Sequence, residues 1–198
     1  VAVQKRIIAN NLNRILSGET FQQPLAFVKL SAKILKQLEG EYQSLNGAKL
    51  KIWHNGSFLN IGAEGQAAID AIAGYESETA QKYAKANGLT EFILSNLAEG
   101  KLENIKSRLS KDEYDFYIPF LAEQFAEFKT KLGNLKKIKI QGTTSFPWET
   151  ETYRTNVILE FEKGSTDLFF GWENGKLNDV TTETGRPFPL IMPFVPNS

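Results

Sequence analysis

Cysteine is absent from the 198-residue sequence, and histidine occurs only once, at position 54. The lack of cysteine excludes disulfide bridges, thiolate metal sites and cysteine nucleophiles. A single histidine also excludes a histidine-rich metal site within one chain. The composition therefore predicts neither a metal site nor a cofactor.

Long hydrophobic runs and an excess of one charge are missing as well. No stretch approaches the run of about 18 apolar residues that crosses a bilayer, so we predict no membrane span. Lys plus Arg and Asp plus Glu both number 23, and without a positive excess we expect neither nucleic acid nor anionic lipid as a partner. Hydrophobic residues make up 41% of the chain and charged residues 23%. That balance indicates a globular protein of one domain or two small ones.

Residues 1–76 are predicted to form a small module of helices and one β-hairpin. Apolar residues at helical spacing predict an amphipathic helix over Val3–Leu16. A linker-like stretch over Thr20–Leu30 follows, and then a short helix that Gly40 ends. The chain begins with Val1, which suggests a piece of a longer protein.

The hairpin is the strongest local prediction in this module. Asn55-Gly56 favours a two-residue turn with positive φ at both positions, which would pair Ile52 with Leu59 across the strands. An alanine-rich helix over Glu64–Ala73 comes next, and Gly74 is expected to close it.

Residues 77–198 are predicted to form a layer of helices followed by antiparallel strands. Helical spacing begins at Ser77 and breaks at Asn87-Gly88. Ser110 and Glu113 form a capping box at the start of a further helix.

Beyond the last helix the apolar period changes from about 3.6 residues to about 2, which indicates strands. Asn174-Gly175 predicts a tight turn that pairs Trp172 with Leu177. Leu168 and Phe170 share strand parity with Trp172, so all three should face inward. The proline-rich final segment should run extended. Helices followed by a meander of strands indicate an α+β fold with the helices on one face of a sheet.

Catalytic motifs are not found. No serine is followed by lysine at the third position, so the S-x-x-K pair of β-lactamase-like enzymes is missing. Neither glycine-rich phosphate loop occurs. We interpret His54 as a hairpin-end residue and the paired carboxylates as helix caps or solvated faces. The sequence predicts no catalytic residue and no activity for this chain alone.

Aromatic residues supply the one candidate binding site: Tyr114, Trp148, Tyr153, Arg154 and Trp172. The last four fall on or near consecutive predicted strands. With Tyr114 they could line a pocket between sheet and helices that suits a small hydrophobic ligand. The competing interpretation makes them core and edge aromatics of a small sheet. The sequence leaves both open.

One set of short motifs lies in the first 60 residues: Arg6, Leu16-Ser17-Gly18, Leu35–Tyr42, Leu50-Lys51-Ile52 and Asn55-Gly56. It resembles the tail that follows the catalytic domain in serine β-lactamase-related, penicillin-binding-protein-like hydrolases. The catalytic serine and lysine of that family lie upstream of this tail, so no catalytic residue is carried over.

A second set contains Leu132-Gly133-x-Leu135, Gln141-Gly142-Thr143, Val157-x-Leu159-x-Phe161 and Trp172–Leu177. It resembles the cone-shaped α+β fold of the nuclear transport factor 2-like superfamily, in its secreted bacterial domains of unknown function. Isomerases and dehydratases of that superfamily use an Asp/His or Asp/Tyr pair inside the cone. Since His54 lies outside the matching region, the pair is not reproduced.

Together the resemblances imply a non-catalytic accessory region, with a module boundary after residue 76. Its partner would be an upstream serine hydrolase domain of the same polypeptide, in the periplasm or outside the cell. The alternative is a cone-fold binding protein or enzyme for a small hydrophobic molecule, with an aromatic pocket. A homodimer through the exposed face of the sheet is a further possibility.

Overall fold

A computed structural model describes residues 30–43, 48–56, 58–145, 151–182 and 190–194. The predicted helix Val3–Leu16 lies outside these residues. The described helices are α1 (Ala32–Gln37), α2 (Gln66–Ala73), α3 (Ser77–Ala98), α4 (Leu102–Lys106) and α5 (Lys111–Leu132). The described strands are β1 (Gly40–Gln43), β2 (Lys49–Asn55), β3 (Phe58–Glu64), β4 (Leu135–Thr144), β5 (Thr152–Phe161), β6 (Gly164–Glu173), β7 (Lys176–Thr182) and β8 (Leu190–Phe194).

The strands form two antiparallel sheets, in the orders β1-β2-β3-β8 and β4-β5-β6-β7. The predicted α+β class is therefore confirmed. Part of the proline-rich final segment forms β8 at the edge of the first sheet, and an edge strand accommodates Pro193 because its missing N–H need not interrupt a ladder. Within the described residues, no helix is long and apolar enough to cross a membrane.

The chain divides into two compact units. The smaller comprises Val1–Glu41, Lys51–Ile61 and Ile191–Ser198, and the larger comprises Tyr42–Leu50 and Gly62–Leu190. The predicted boundary after residue 76, which concerns separately folding modules, stays a prediction.

The core of the larger unit is built on alternating residues of the second sheet. Alternate side chains of β5 from Tyr153 to Phe161 are buried, as are Leu168, Phe170 and Trp172 of β6. The predicted inward row of β6 is thus confirmed. Side chains from α3, α4 and α5 belong to the same core. The helices therefore pack on this face, as the α+β prediction requires.

Two local signals proved reliable. Asn174 and Gly175 both have positive φ, at 52° and 80°, and Trp172 pairs with Leu177 across the turn. The capping box is formed, because the Glu113 amide donates to Ser110 Oγ and the Ser110 amide donates to Glu113 Oε2. Glu113 Oε1 also accepts from the Leu177 amide at 2.7 Å, so the cap of α5 holds the start of β7.

Two other local predictions were wrong. Asn87-Gly88 does not break the helix, because α3 continues from Ser77 to Ala98 and buries Ala86 and Thr90 on either side of the pair. Packing of this kind offsets the roughly 1 kcal/mol that an interior glycine costs a helix. β2 and β3 are neighbours in the first sheet, as the predicted hairpin requires, but Asn55 belongs to β2, so only Gly56, with φ of 64°, has the positive φ predicted for both turn positions.

Candidate functional site

The structure brings together two of the five predicted site residues, Tyr153 and Trp172. They are direct cross-strand partners on the inner face of the second sheet, with 4% and 1% of their surfaces exposed. Trp148 lies outside the described residues. Tyr114 is half-buried on α5, where Lys106 Nζ lies 5.9 Å from its ring centroid. Tyr153 and Trp172 are therefore buried on the inner face of the sheet.

Arg154 lies on the opposite face of the sheet from its neighbour Tyr153. Its guanidinium carbon stands 4.7 Å from the ring centroid of Phe169, in the range of a cation–π contact. Phe169 is itself buried although it faces away from the helices. Arg154 therefore belongs to a separate outer-face pair.

Three tyrosines form a cluster on the inner face, which we call the tyrosine cluster: Tyr75, Tyr83 and Tyr153. The Tyr83 ring lies 5.0 Å from that of Tyr75, edge to face, and 5.2 Å from that of Tyr153. The Tyr75 hydroxyl accepts a hydrogen bond from the Ser145 amide at 3.2 Å. Such a cluster combines apolar ring faces with polar hydroxyls, which is a composition common in ligand sites.

Burial determines the protonation of this cluster. Desolvation raises the pKa of Tyr83 to about 12, although a hydrogen bond with Ser145 lowers it in part and the neighbouring tyrosines raise it by smaller amounts. Desolvation also raises the pKa of Tyr153, although a hydrogen bond from the Gly175 backbone lowers it in part. Both phenols are therefore neutral at physiological pH and are poor candidates for a general base.

Lys82 and Glu151 provide the charge at the edge of the tyrosine cluster. Lys82 Nζ lies 4.7 Å from the ring centroid of Tyr153 and 3.4 Å from Glu151 Oε2. The ion pair is partly exposed, with 31% of the lysine side chain and 61% of the glutamate side chain accessible. A pair of this kind is weak in water, and a bound molecule could compete with it.

A continuous set of side-chain hydrogen bonds begins at Trp172. Its indole Nε1 donates to Thr155 Oγ1 at 3.0 Å, and the hydroxyls of Thr155 and Thr143 lie 2.6 Å apart. Thr143 Oγ1 donates to Asn87 Oδ1 at 2.8 Å. Because a hydroxyl has one proton, Thr155 must donate to Thr143. Each donor in this series therefore points away from Trp172 and toward Asn87.

The chain of bonds ends on a carboxylate of α2. Asn87 Nδ2 donates to Gln66 Oε1 at 2.8 Å, and Gln66 Nε2 donates to Asp70 Oδ1 at 2.7 Å. The Gln66 amide also bonds both backbone groups of Thr143, accepting from N at 2.8 Å and donating to O at 3.2 Å. We call the six side chains Trp172, Thr155, Thr143, Asn87, Gln66 and Asp70 the polar chain.

Gly142 permits the close approach of α2 to β4. A Cβ at this position would clash with Ile69 Cδ1, and the φ of 125° disfavours any other residue. The absence of a side chain lets the first turn of α2 lie against the strand. Gln66 can then reach the backbone of Thr143.

Thr90 is a buried hydroxyl that stands apart from the polar chain. The residue is completely inaccessible, and among the described residues its Oγ1 has no hydrogen-bond partner. An unpaired buried hydroxyl destabilises a protein by about 1–3 kcal/mol. Thr90 therefore marks a weak point of the interior.

Sequence reasoning missed most of these residues. Thr155 shares strand parity with Tyr153, so its inward direction could have been predicted. Gln66, Asn87 and Thr143 come from two helices and a bulged strand, and no local pattern links them. The β4 bulge between Ile140 and Gly142 also shifts the alternation that would have assigned Thr143 to a face.

His54, in the smaller unit, has a carboxylate partner that the sequence did not reveal. Glu39 Oε1 accepts from the His54 amide at 2.9 Å and lies 2.5 Å from its ring Nδ1. The hydrogen bonds from His54 hold the pKa of Glu39 below its usual value. The pair joins the residue before β1 to β2, which gives it a structural role in the hairpin region.

Metal binding finds no support in the described parts of the chain, where no three His, Cys, Asp or Glu side chains come together to hold an ion. No family model matches the sequence, and no curated protein or solved structure matches it. The resemblances to hydrolase tails and to the cone fold therefore remain proposals.

Proposed function

We propose that this chain is a non-catalytic accessory region of a larger secreted serine hydrolase, with a structural or partner-positioning role. The polar chain is the observation that supports this proposal. Its indole, hydroxyl and amide groups bond one another, whereas catalytic groups are aimed at the position of a reacting atom.

The polar chain connects five elements of the larger unit. Asp70 and Gln66 belong to α2 and Asn87 to α3, and the other three members lie one each on β4, β5 and β6. Fully satisfied networks of buried polar groups rigidify a core and favour a single arrangement of its elements. A rigid sheet-and-helix unit is suited to holding a partner domain in one orientation.

The coding sequence upstream of Val1 gives the most direct test of this proposal. We expect it to encode a domain with an S-x-x-K motif, because the accessory role requires a catalytic partner. A second measurement is turnover of β-lactam, ester and peptide substrates by the purified chain, which should be at background. Turnover that persists through purification, or an upstream region that encodes no hydrolase, would contradict the proposal.

The tyrosine cluster favours a second candidate function, the binding of a small hydrophobic molecule. The Tyr83 ring contacts the rings of Tyr75 and Tyr153, and the Lys82–Glu151 pair lies at the edge of the cluster. Fluorotyrosine NMR would test this with small phenols as probes, since binding should shift the signals of Tyr75, Tyr83 and Tyr153 together. Lys82→Ala should alter that response, while Lys85→Ala, one turn further along α3, should not. Unchanged tyrosine signals would exclude this site.

A further inference from the structure

A groove of about 420 Å³ lies among α3, α4 and α5, away from the tyrosine cluster and the polar chain. Its volume is within the range of sites for small molecules. Its apolar lining consists of Leu97, Ala98, Leu102, Ala122, Phe125 and Ala126. Leu97 and Phe125 are buried core residues and form the floor, whereas Leu102 is a large hydrophobic residue that remains 36% exposed.

Small side chains and a sharp turn account for the shape of the groove. Ala122 and Ala126 are one helical turn apart on the same face of α5. Because both side chains are small, this face is recessed and forms one wall of the groove. Gly100 has a φ of 72° and lets the chain turn from α3 into α4. A Cβ on Gly100 would meet nothing within 4 Å, which shows that the space beside this turn is open.

The charges at the groove are not balanced. Glu99 and Lys129 both line it, and Glu99 is paired with Lys101 at 2.6 Å. Within the described part of the chain, Lys129 has no ion-pair partner. One ammonium group therefore remains uncompensated beside an apolar surface.

The carbonyl groups at the end of α3 do not cancel this positive charge. The amides of Glu99, Gly100 and Lys101 donate to the carbonyls of Ser95, Leu97 and Asn96, so these terminal acceptors are already bonded. The negative end of the helix is thus partly neutralised.

We infer that the groove binds a small soluble amphiphile with one carboxylate and an apolar chain. The apolar chain would cover Leu97, Leu102 and Phe125, and the carboxylate would lie beside Lys129. Covering this apolar surface supplies most of the binding free energy. A single exposed ion pair with Lys129 adds about 0.2–1 kcal/mol. It therefore favours a carboxylate over a neutral headgroup but contributes little to the total affinity.

Isothermal titration of the complete chain with sodium decanoate, kept below its micelle concentration, tests this inference. We expect saturable binding at one site and weaker binding of the neutral analogue decanol. Ala126→Trp should reduce affinity at least tenfold because the indole fills the groove, and the exposed position of Ala126 lets the variant fold. Circular dichroism would verify that fold.

Lys129→Gln should weaken decanoate binding about two- to five-fold, the factor expected of an exposed ion pair, and leave decanol binding unchanged. Lys111→Gln makes the same charge change at the other end of α5 and serves as the matched control. No saturable binding, binding that survives Ala126→Trp, or equal effects of the two lysine variants would overturn the inference. Binding only to anionic phospholipid vesicles would overturn it too, since it would identify a membrane surface as the occupant.

Discussion

Tyr153 and Arg154 are neighbours on β5, yet they belong to two very different faces of the second sheet. The inner face carries Tyr153 against Trp172 and buries the hydroxyls of Thr143 and Thr155. The outer face carries Arg154 over the buried ring of Phe169. Polarity therefore does not decide which side chain is buried on this sheet.

Hydrogen bonding explains the difference between the faces. Buried polar groups are tolerated when each one has a partner, and Thr155 has both an indole donor and a hydroxyl acceptor. On the outer face a long side chain shields a ring, because the stem of an arginine can lie on an apolar surface while its charged end stays hydrated. The inner face is stabilised by hydrogen bonds between its buried polar side chains. The outer face is stabilised by an arginine side chain that covers the Phe169 ring.

Removing the largest inner side chain should have the largest effect. Trp172→Ala is expected to lower the free energy of unfolding by about 3–5 kcal/mol, because it leaves a cavity and removes the donor that bonds the Thr155 hydroxyl. Trp172→Phe keeps part of the volume and should cost less. Urea denaturation measures both. A loss of less than about 1 kcal/mol for Trp172→Ala would mean that the inner face is not a packed core.

Alkaline pH should lower the free energy of unfolding because of the buried Tyr83 side chain. Its pKa is raised from 10.0 to about 12, so the folded state favours the neutral phenol. The stabilisation is complete below the pKa of the unfolded state and is lost as pH rises through about 12, and with solvent screening it corresponds to about 1–3 kcal/mol.

Tyr83→Phe isolates this contribution, because the other tyrosines and the lysines titrate in both proteins. The free energies of unfolding of the two proteins, measured by urea denaturation from pH 9 upwards, should show a steeper decline for the native chain. Parallel curves would show that Tyr83 ionises at its ordinary pKa.

Two buried threonines allow the same substitution to test the polar chain. Thr155→Val leaves the Trp172 indole without an acceptor and the Thr143 hydroxyl without a donor, so we expect a loss of about 1–3 kcal/mol. Thr90→Val removes a hydroxyl that has no partner within the described residues and should be neutral or stabilising by about 1 kcal/mol. Equal losses for both variants, measured by urea denaturation, would mean that Thr90 also bonds a partner such as buried water.

The sequence was sufficient for features that depend on neighbours in the chain. Strand parity placed Trp172 inward, and the Asn174-Gly175 turn and the Ser110 cap were predicted from their own residues. Features that depend on tertiary packing were missed. The continuous α3 across Asn87-Gly88 and the meeting of Asn87 with Gln66 both follow from contacts that no local period encodes.

The smallest effect is expected on the outer face, at Arg154. An exposed cation–π contact contributes about 0.5–1 kcal/mol, and Arg154 is only half-buried, so Arg154→Ala should lower the free energy of unfolding by no more than about 1 kcal/mol. Arg154→Met keeps an apolar stem over Phe169 and removes the charge. It therefore distinguishes the contribution of apolar packing on the ring from that of the cation–π interaction. If coverage of the Phe169 ring dominates, urea denaturation should give Arg154→Met the same free energy of unfolding as the native chain. High salt should then leave unchanged the stability difference between Arg154→Ala and each of these two proteins. A loss above about 2 kcal/mol for Arg154→Ala would mean that the outer face, like the inner one, depends on a buried polar network.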